Sequence, residues 1–237
     1  MSEDSSKPAV KWGWKAALGV SVLSVVLAQA VVAVIAITLG WDINSLSRAQ
    51  TYALGSLSVA LPLAGLYLYL PRVRATLEDL GFDKKPKPFI KPLAKAFGLY
   101  ILSTTAAILL LSVLAPTADL DQAQDLGLGD NPAIWYEFLL LGLLLTVFTP
   151  FSEEVIFRGF MLKGLAGRFG WTAAAVVSSL LFGIVHGQLN VAIDTGIMGW
   201  FSAQLVIATK SIWPSIALHA LKNSIAFTLV YLGPLVS

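Results

Sequence analysis

The chain contains no cysteine, which excludes disulfide bonds, cysteine-ligated metals and thiol nucleophiles. Charged residues are scarce as well: they make up 13% of the 237 residues, roughly half the fraction usual in a soluble domain. Only two histidines occur, and the net charge of +2 gives no indication of a nucleic-acid partner. The shortage of charge predicts instead that most of the chain lies in a lipid bilayer.

Long uncharged runs predict membrane-spanning helices, since a helix needs about 20 apolar residues to cross the hydrocarbon core. We predict an all-α, polytopic transmembrane bundle with about seven spans, at residues 14–40, 51–70, 95–116, 133–152 running on into the stretch 151–160, 171–190, 194–209 and 212–233. The predicted organisation is a cytoplasmic N-terminal tail over residues 1–13, followed by a single transmembrane helical domain over residues 14–237.

The distribution of basic residues predicts the orientation. Residues 71–95 carry seven lysines and arginines, whereas residues 117–131 carry four aspartates and no basic residue. Because cytoplasmic loops are enriched in lysine and arginine, we expect a multi-pass protein of a bacterial-type cell membrane with a cytoplasmic N-terminus. The basic stretch KKPKPFIKPLAK could alternatively be a lipid-binding amphipathic segment, although the topological interpretation is favoured.

Charged residues interrupt the apolar pattern in the stretch FSEEVIFRGF, residues 151–160. An ionisable residue within a membrane span is energetically costly, and so it indicates a functional site. Glu154 and Arg158 are four residues apart and share a helix face, which predicts an ion pair. Glu153 is turned about 100° away from Glu154. We therefore expect Glu153 to be the carboxylate that is left free for chemistry.

Both histidines lie in predicted spans that have few other polar residues. His186 follows Phe182 by four residues, and His219 precedes Asn223 by four. A carboxylate and an imidazole can activate a water molecule, while a second imidazole and a carboxamide can donate hydrogen bonds to an oxyanion. The sequence has no G-x-S-x-G motif for a serine nucleophile. These residue types favour hydrolysis with water as the attacking group.

The three pairings, taken in order, resemble the signature motifs of a known family. Glu153-Glu154-x-x-x-Arg158, Phe182-x-x-x-His186 and His219-x-x-x-Asn223 are similar to those of the CPBP family, the CAAX-protease and bacteriocin-processing proteins also called the Abi family. That family includes the type II CAAX prenyl endopeptidases. The resemblance covers about residues 150–235. It implies an intramembrane endopeptidase that hydrolyses a peptide bond of a membrane-associated peptide or protein.

The resemblance also implies roles for seven side chains. Four would be catalytic: Glu153, His186, His219 and Asn223. Three would support the site structurally: Glu154, Arg158 and Phe182. In this assignment the first glutamate and the first histidine activate water, while the second histidine and the asparagine stabilise the oxyanion. The glutamate–arginine pair holds the geometry, and the phenylalanine packs against the first histidine.

Metal dependence has two interpretations. Glu153, His186 and His219 could supply three ligands to a zinc ion and leave a position open for water. However, no HExxH helix or other compact ligand spacing occurs. We therefore favour water activation without a cofactor and keep zinc as the alternative.

The sequence also allows other functions for the chain, and it allows two roles for Lys222. The same fold could act as a non-catalytic membrane scaffold or immunity protein, or as a proton-coupled transporter, although transporters commonly have repeated halves and none is evident here. Lys222 lies three residues after His219. It could pair with an acidic group, which we favour, or contact a substrate carboxylate.

Overall fold

The computed structural model describes residues 10–42, 45–82, 88–117 and 135–236, with side chains as far as Val230, and its regular elements within these ranges are all helical. Seven helices occur there: α1 Trp14–Thr38, α2 Arg48–Tyr69, α3 Ile90–Leu114, α4 Trp135–Phe169, α5 Trp171–Ile184, α6 Leu189–Thr209 and α7 Trp213–Val236. A 3₁₀ turn, Leu70–Val73, continues α2. The predicted all-α class is confirmed, and the number of helices matches the seven predicted spans.

Five of these helices are long and apolar enough to cross a membrane, namely α1, α2 with its 3₁₀ extension, α3, α4 and α6. Helix α5 is also apolar but has only 14 residues, which corresponds to about 21 Å of helix. Large aliphatic side chains are exposed along α1 and α3 in particular. Because such surfaces are stable only against lipid, the chain is an integral membrane protein.

Three predicted span boundaries differ from the structure. The fourth span was expected to run from residue 133 to 152 and on into the stretch 151–160, but α4 continues to Phe169 through two π-helical turns, Leu144–Phe148 and Val155–Met161. The fifth span was expected to reach residue 190, but α5 ends at Ile184. Gly187 follows with a φ of +77°, a conformation that glycine adopts without strain. The sixth helix then begins at Leu189 instead of residue 194.

Helix α4 occupies the middle of the bundle and packs on α1, α2, α5, α6 and α7, whereas α3 packs on α6 and α7. Small residues allow the closest approaches. Gly164 of α4 lies against the side chains of Ala17 and Trp12, and the Trp12 indole donates a hydrogen bond of 3.0 Å to the carbonyl of Phe160. These contacts fix the start of α1 against the second half of α4.

Three basic residues lie at one end of the bundle. Lys11 forms a 2.8 Å ion pair with Asp79, and Lys163 donates to the Asp79 carbonyl at 2.9 Å. Lys210 lies beside Lys163 around the same small cavity. This grouping agrees with the predicted cytoplasmic side, although the orientation itself stays a prediction. Residues 1–9, Lys84, Lys85, Lys87 and residues 118–131, which also entered that prediction, lie outside the described residues.

Gly164→Ala should destabilise the protein, because the added methyl group would collide with Ala17 and Trp12. Overpacking a filled contact costs about 1–3 kcal/mol. The matched control is Gly98→Ala in α3, where nothing lies within 4 Å of the added carbon. That control should be neutral or slightly stabilising, because alanine favours helix. Thermal unfolding in detergent micelles measures both variants, and equal midpoints would contradict the α1–α4 contact.

Candidate active site

The site is built around a helix, α4, that is irregular on both sides of a short α-helical segment, Thr149–Glu154. The preceding π-helical turn, Leu144–Phe148, directs the Thr149 N–H to the Leu144 carbonyl. If this five-residue spacing continued, the donor to the carbonyl of Leu145 would be residue 150, which is a proline without an N–H. The carbonyl of Leu145 therefore lacks a helical donor.

Asn223 of α7 supplies the missing donor. Its side-chain Nδ2 donates a hydrogen bond of 2.9 Å to the Leu145 carbonyl. Non-helical backbone at membrane depth is tolerated only where protein or a cavity covers it, and this side chain provides that cover. The contact also holds α7 against α4. Sequence reasoning assigned Asn223 to an oxyanion but did not anticipate this backbone partner.

The ion pair expected from helix periodicity is present within α4. Glu154 Oε1 lies 3.5 Å from Arg158 Nη1, and both side chains are completely buried. The Arg158 guanidinium lies over the Phe182 ring at 4.4 Å from the centroid. Gly199 of α6 is adjacent, and a Cβ at that position would collide with the guanidinium. A glycine in α6 thus makes room for the buried cation.

His219 of α7 lies between the two neighbouring glutamates. Its Nδ1 is 3.2 Å from Glu154 Oε1, and its Nε2 is 3.6 Å from Glu153 Oε2. A neutral imidazole carries only one N–H, so interaction with both carboxylates requires a second proton, either on the ring or on Glu153. Glu153 was expected to be free because it has no partner along its own helix. In the structure, His219 of α7 is a neighbouring partner of Glu153.

His186 lies just beyond the end of α5, in the turn that leads to α6. Its Nδ1 is 2.7 Å from the carbonyl of Phe182. A carbonyl only accepts, so Nδ1 carries the hydrogen and Nε2 of the neutral ring is the acceptor. The Phe182 ring contacts the rings of both histidines, with centroid distances of 5.0 Å to His186 and 5.7 Å to His219. Phe182 therefore packs against three of the candidate side chains.

A cavity of about 410 Å³ connects part of this set to the outside of the bundle. Glu153 and His186 both line it, together with residues of α1, α2 and α4. The Glu153 side chain keeps 28% of its surface exposed. The volume greatly exceeds the roughly 30 Å³ that one water occupies. The other two residues predicted to be catalytic do not line the cavity. His219 contacts Glu153, and Asn223 contacts the carbonyl of the cavity-lining residue Leu145.

The possible zinc ligands do not fit a metal ion in this arrangement. Among the described residues, no group of three or more histidine, aspartate or glutamate side chains has metal-binding spacing. His186 directs Nδ1 to a backbone carbonyl, and both ring nitrogens of His219 face carboxylates.

Lys222 has the acidic partner that was favoured from the sequence. Its Nζ lies 2.9 Å from Asp194 Oδ2, and Asp194 Oδ1 accepts a hydrogen bond of 2.6 Å from the Tyr100 hydroxyl. This cluster joins α3, α6 and α7. Sequence analysis did not single out Asp194 or Tyr100. The sequence did contain an indication of this ion pair, since Asp194 and Lys222 are the only Asp, Glu, Lys or Arg residues in α6 and α7.

The fold and the site define a class: an integral membrane helical bundle whose interior holds two carboxylates, two imidazoles and a guanidinium next to an open cavity. Comparison with known proteins gives the family. Residues 135–225 match the family model described as Rce1-like, type II CAAX prenyl endopeptidase. All seven candidate site residues fall within the match. The match supports the similarity of this segment to the CPBP, or CAAX protease, family.

One curated relative is a protein of Bacillus subtilis (strain 168), YdiL, whose name describes it provisionally as a membrane peptidase. It is 33% identical to this chain over 85 residues, which cover 36% of the chain and 35% of the relative. The aligned part thus spans about a third of that relative's length. No solved structure matches the chain.

Asn223→Leu should destabilise the protein by about 1–3 kcal/mol, because it leaves the buried Leu145 carbonyl unpaired. Pro150→Ala restores a backbone N–H in the same region and should reduce that cost in the double variant. A double-mutant cycle of thermal unfolding measures the coupling. Strictly additive effects of the two substitutions would contradict the compensation of Pro150 by Asn223.

Lys222→Met and Asp194→Asn should each lower stability, because each leaves one charge without its partner. The two side chains keep about a fifth of their surface exposed, so a cost of about 1–3 kcal/mol is expected, below that of a fully buried pair. The double variant should be more stable than the sum of the single changes predicts. If Lys222→Met instead leaves thermal unfolding unchanged and alters only substrate cleavage, the pairing does not explain this lysine.

Proposed function

We propose that the chain is an intramembrane endopeptidase that hydrolyses a peptide bond of a membrane-associated peptide or protein with an activated water molecule. The observation that supports this most is that Glu153 and His186 line the same cavity of about 410 Å³ inside the bundle. The family match over residues 135–225 supports the same reaction class. The cytoplasmic N-terminus and the bacterial-type cell membrane expected from the sequence are part of the proposal.

In the proposed reaction the Glu153 carboxylate and His186 Nε2 both accept hydrogen bonds from one water molecule. Glu153 takes a proton as the water oxygen attacks the scissile carbonyl carbon, which gives a tetrahedral oxyanion. The proton then passes to the amide nitrogen, the C–N bond breaks, and the products are a carboxylic acid and an amine, which become a carboxylate and an ammonium group once a proton passes between them. No metal ion is needed for this sequence of steps.

Two side chains of α7 assist at the oxyanion. Asn223 has two N–H hydrogens on Nδ2. One is used on the Leu145 carbonyl, and the other is available for the oxyanion. His219 lies 3.6 Å from Glu153 and can hold the proton that the pair shares. Donors that are fixed before the reaction stabilise developing charge without reorganisation.

Glu154 and Arg158 have a positioning role in this proposal. Glu154 Oε1 contacts both the Arg158 guanidinium and His219 Nδ1. Because the pair is completely buried, its position is fixed by α4, α5 and α6. It therefore orients the His219 ring, whose second nitrogen faces Glu153.

Glu153→Gln should abolish cleavage while the protein still folds, because the amide cannot accept the proton. Loss of a general base costs about 100- to 10,000-fold in rate. Peptide termini in membranes that carry either form are compared by mass spectrometry, and the peptides that persist only with the variant identify the substrate. The matched control is Glu78→Gln, the same chemical change at an exposed position. EDTA should leave cleavage by the wild type unchanged.

Equal cleavage by the wild type and Glu153→Gln would contradict the proposed chemistry. If the wild type cleaves nothing but the cellular phenotype of both forms is the same, the chain is a non-catalytic scaffold or immunity protein. Proton flux in liposomes that survives replacement of Asn223 would indicate a transporter instead.

A further inference from the structure

The catalytic cavity has a polar wall that none of the seven candidate residues provides. Gln29 of α1 and Ser58 of α2 both line it, together with Glu153 and His186. Both residues precede the segment that matches the family model. Gln29 interrupts the most apolar span of the chain, α1, whose best 18-residue window has a mean hydropathy of 2.7. A carboxamide at that place requires an explanation.

Neither side chain is tied to another helix by a hydrogen bond among the described residues. Within the described part of the chain, neither Gln29 nor Ser58 forms a side-chain hydrogen bond, although other hydroxyls in these helices do, such as those of Ser24 and Thr51. Gln29 is exposed and Ser58 is half-buried, and a polar side chain in a membrane span usually faces a water-filled cavity or a polar partner. Their orientation toward the cavity indicates that they meet something that enters it.

Pro62 affects a third polar group near this wall, the backbone carbonyl of Ser58. It lies inside α2, four residues after Ser58, and lines the same cavity. Proline has no N–H, so the usual helical donor to the Ser58 carbonyl is missing. The two side chains of the wall are a carboxamide and a hydroxyl, both of which donate and accept, and the Ser58 carbonyl beside them lacks its helical donor.

We propose that Gln29 and Ser58 bind the backbone of the substrate peptide, held in an extended conformation beside Glu153. This inference rests on the proposed function and adds the substrate's conformation and its binding groups. A scissile carbonyl within a helix is engaged by the N–H four residues later, so the segment to be cleaved must be unwound. Each unwound residue then presents one N–H and one C=O, which need partners away from water. The wall offers both kinds of partner, independent of the substrate's side chains.

Cysteine accessibility tests the placement without any substrate, since the native chain has no cysteine. The probe is the water-soluble reagent sodium (2-sulfonatoethyl) methanethiosulfonate, applied to the full chain in liposomes. Gln29→Cys and Ser58→Cys should react, because thiolates form where water has access. The matched controls are Leu27→Cys and Ser56→Cys, which are exposed on other faces of the same helices and do not line the cavity. Labelling of the controls at the same rate, or no labelling at 29 and 58, overturns the inference.

Kinetics test the binding role. The substrate is a membrane peptide that the wild type cleaves and Glu153→Gln does not. Gln29→Met and Ser58→Ala should each raise KM about three- to tenfold, the effect of losing one neutral hydrogen bond, with kcat nearly unchanged. The controls are Gln204→Met in α6 and Ser56→Ala in α2, neither of which lines the cavity. Both should leave KM unchanged.

The outcomes separate this inference from the proposed function. If the wild type cleaves the peptide, Glu153→Gln does not, and KM is unchanged in Gln29→Met and Ser58→Ala, only the role of the polar wall is overturned. A fall in kcat without a change in KM overturns it as well, because it indicates altered structure or chemistry in place of substrate binding. If no membrane peptide depends on Glu153, both proposals fall together.

Discussion

Glu154 and Arg158 lie one helical turn apart in α4, 3.5 Å from each other and completely buried. Removing two charges from water is so costly that a buried pair persists only when neighbouring groups complete its surroundings. Here those groups come from three other helices: Phe182 of α5 beneath the guanidinium, Gly199 of α6 beside it, and His219 of α7 on the carboxylate. The position of α4 relative to α5, α6 and α7 therefore depends on this pair, and so does the position of the ring that faces Glu153.

Prolines inside two helices have a second organising effect. Pro150 leaves the Leu145 carbonyl of α4 without a helical donor, and Asn223 provides one from α7. Pro62 removes the donor for the Ser58 carbonyl of α2, and there the neighbouring surface is the cavity. One carbonyl without a helical donor is thus paired by a side chain of another helix, whereas the other belongs to a residue that lines the cavity. The same backbone defect stabilises the bundle at one place and offers a binding group at the other.

Helix periodicity correctly predicted contacts between residues of the same helix. It could not predict which residue of another helix a side chain would contact. The all-α class and the Glu154–Arg158 pair follow from spacing along one chain segment. The contact of His219 with both glutamates does not, because periodicity gives the face of a helix but not its neighbour. The end of α5 at Ile184 was missed because the apolar run continues past it, while the turn is set by Gly187. The cavity wall from α1 and α2 was missed because Gln29 and Ser58 belong to no motif.

The two histidines are chemically different although the sequence presents them alike. The Nδ1 atom of His186 is held by a backbone carbonyl, so its Nε2 can only accept while the ring is neutral. His219 has a carboxylate at each nitrogen, 3.2 Å from Nδ1 and 3.6 Å from Nε2. In the proposed reaction this difference divides the work: His186 helps Glu153 to polarise water, and His219 retains a proton near the developing negative charge. The contacts of the two rings therefore matter as much as the presence of two histidines.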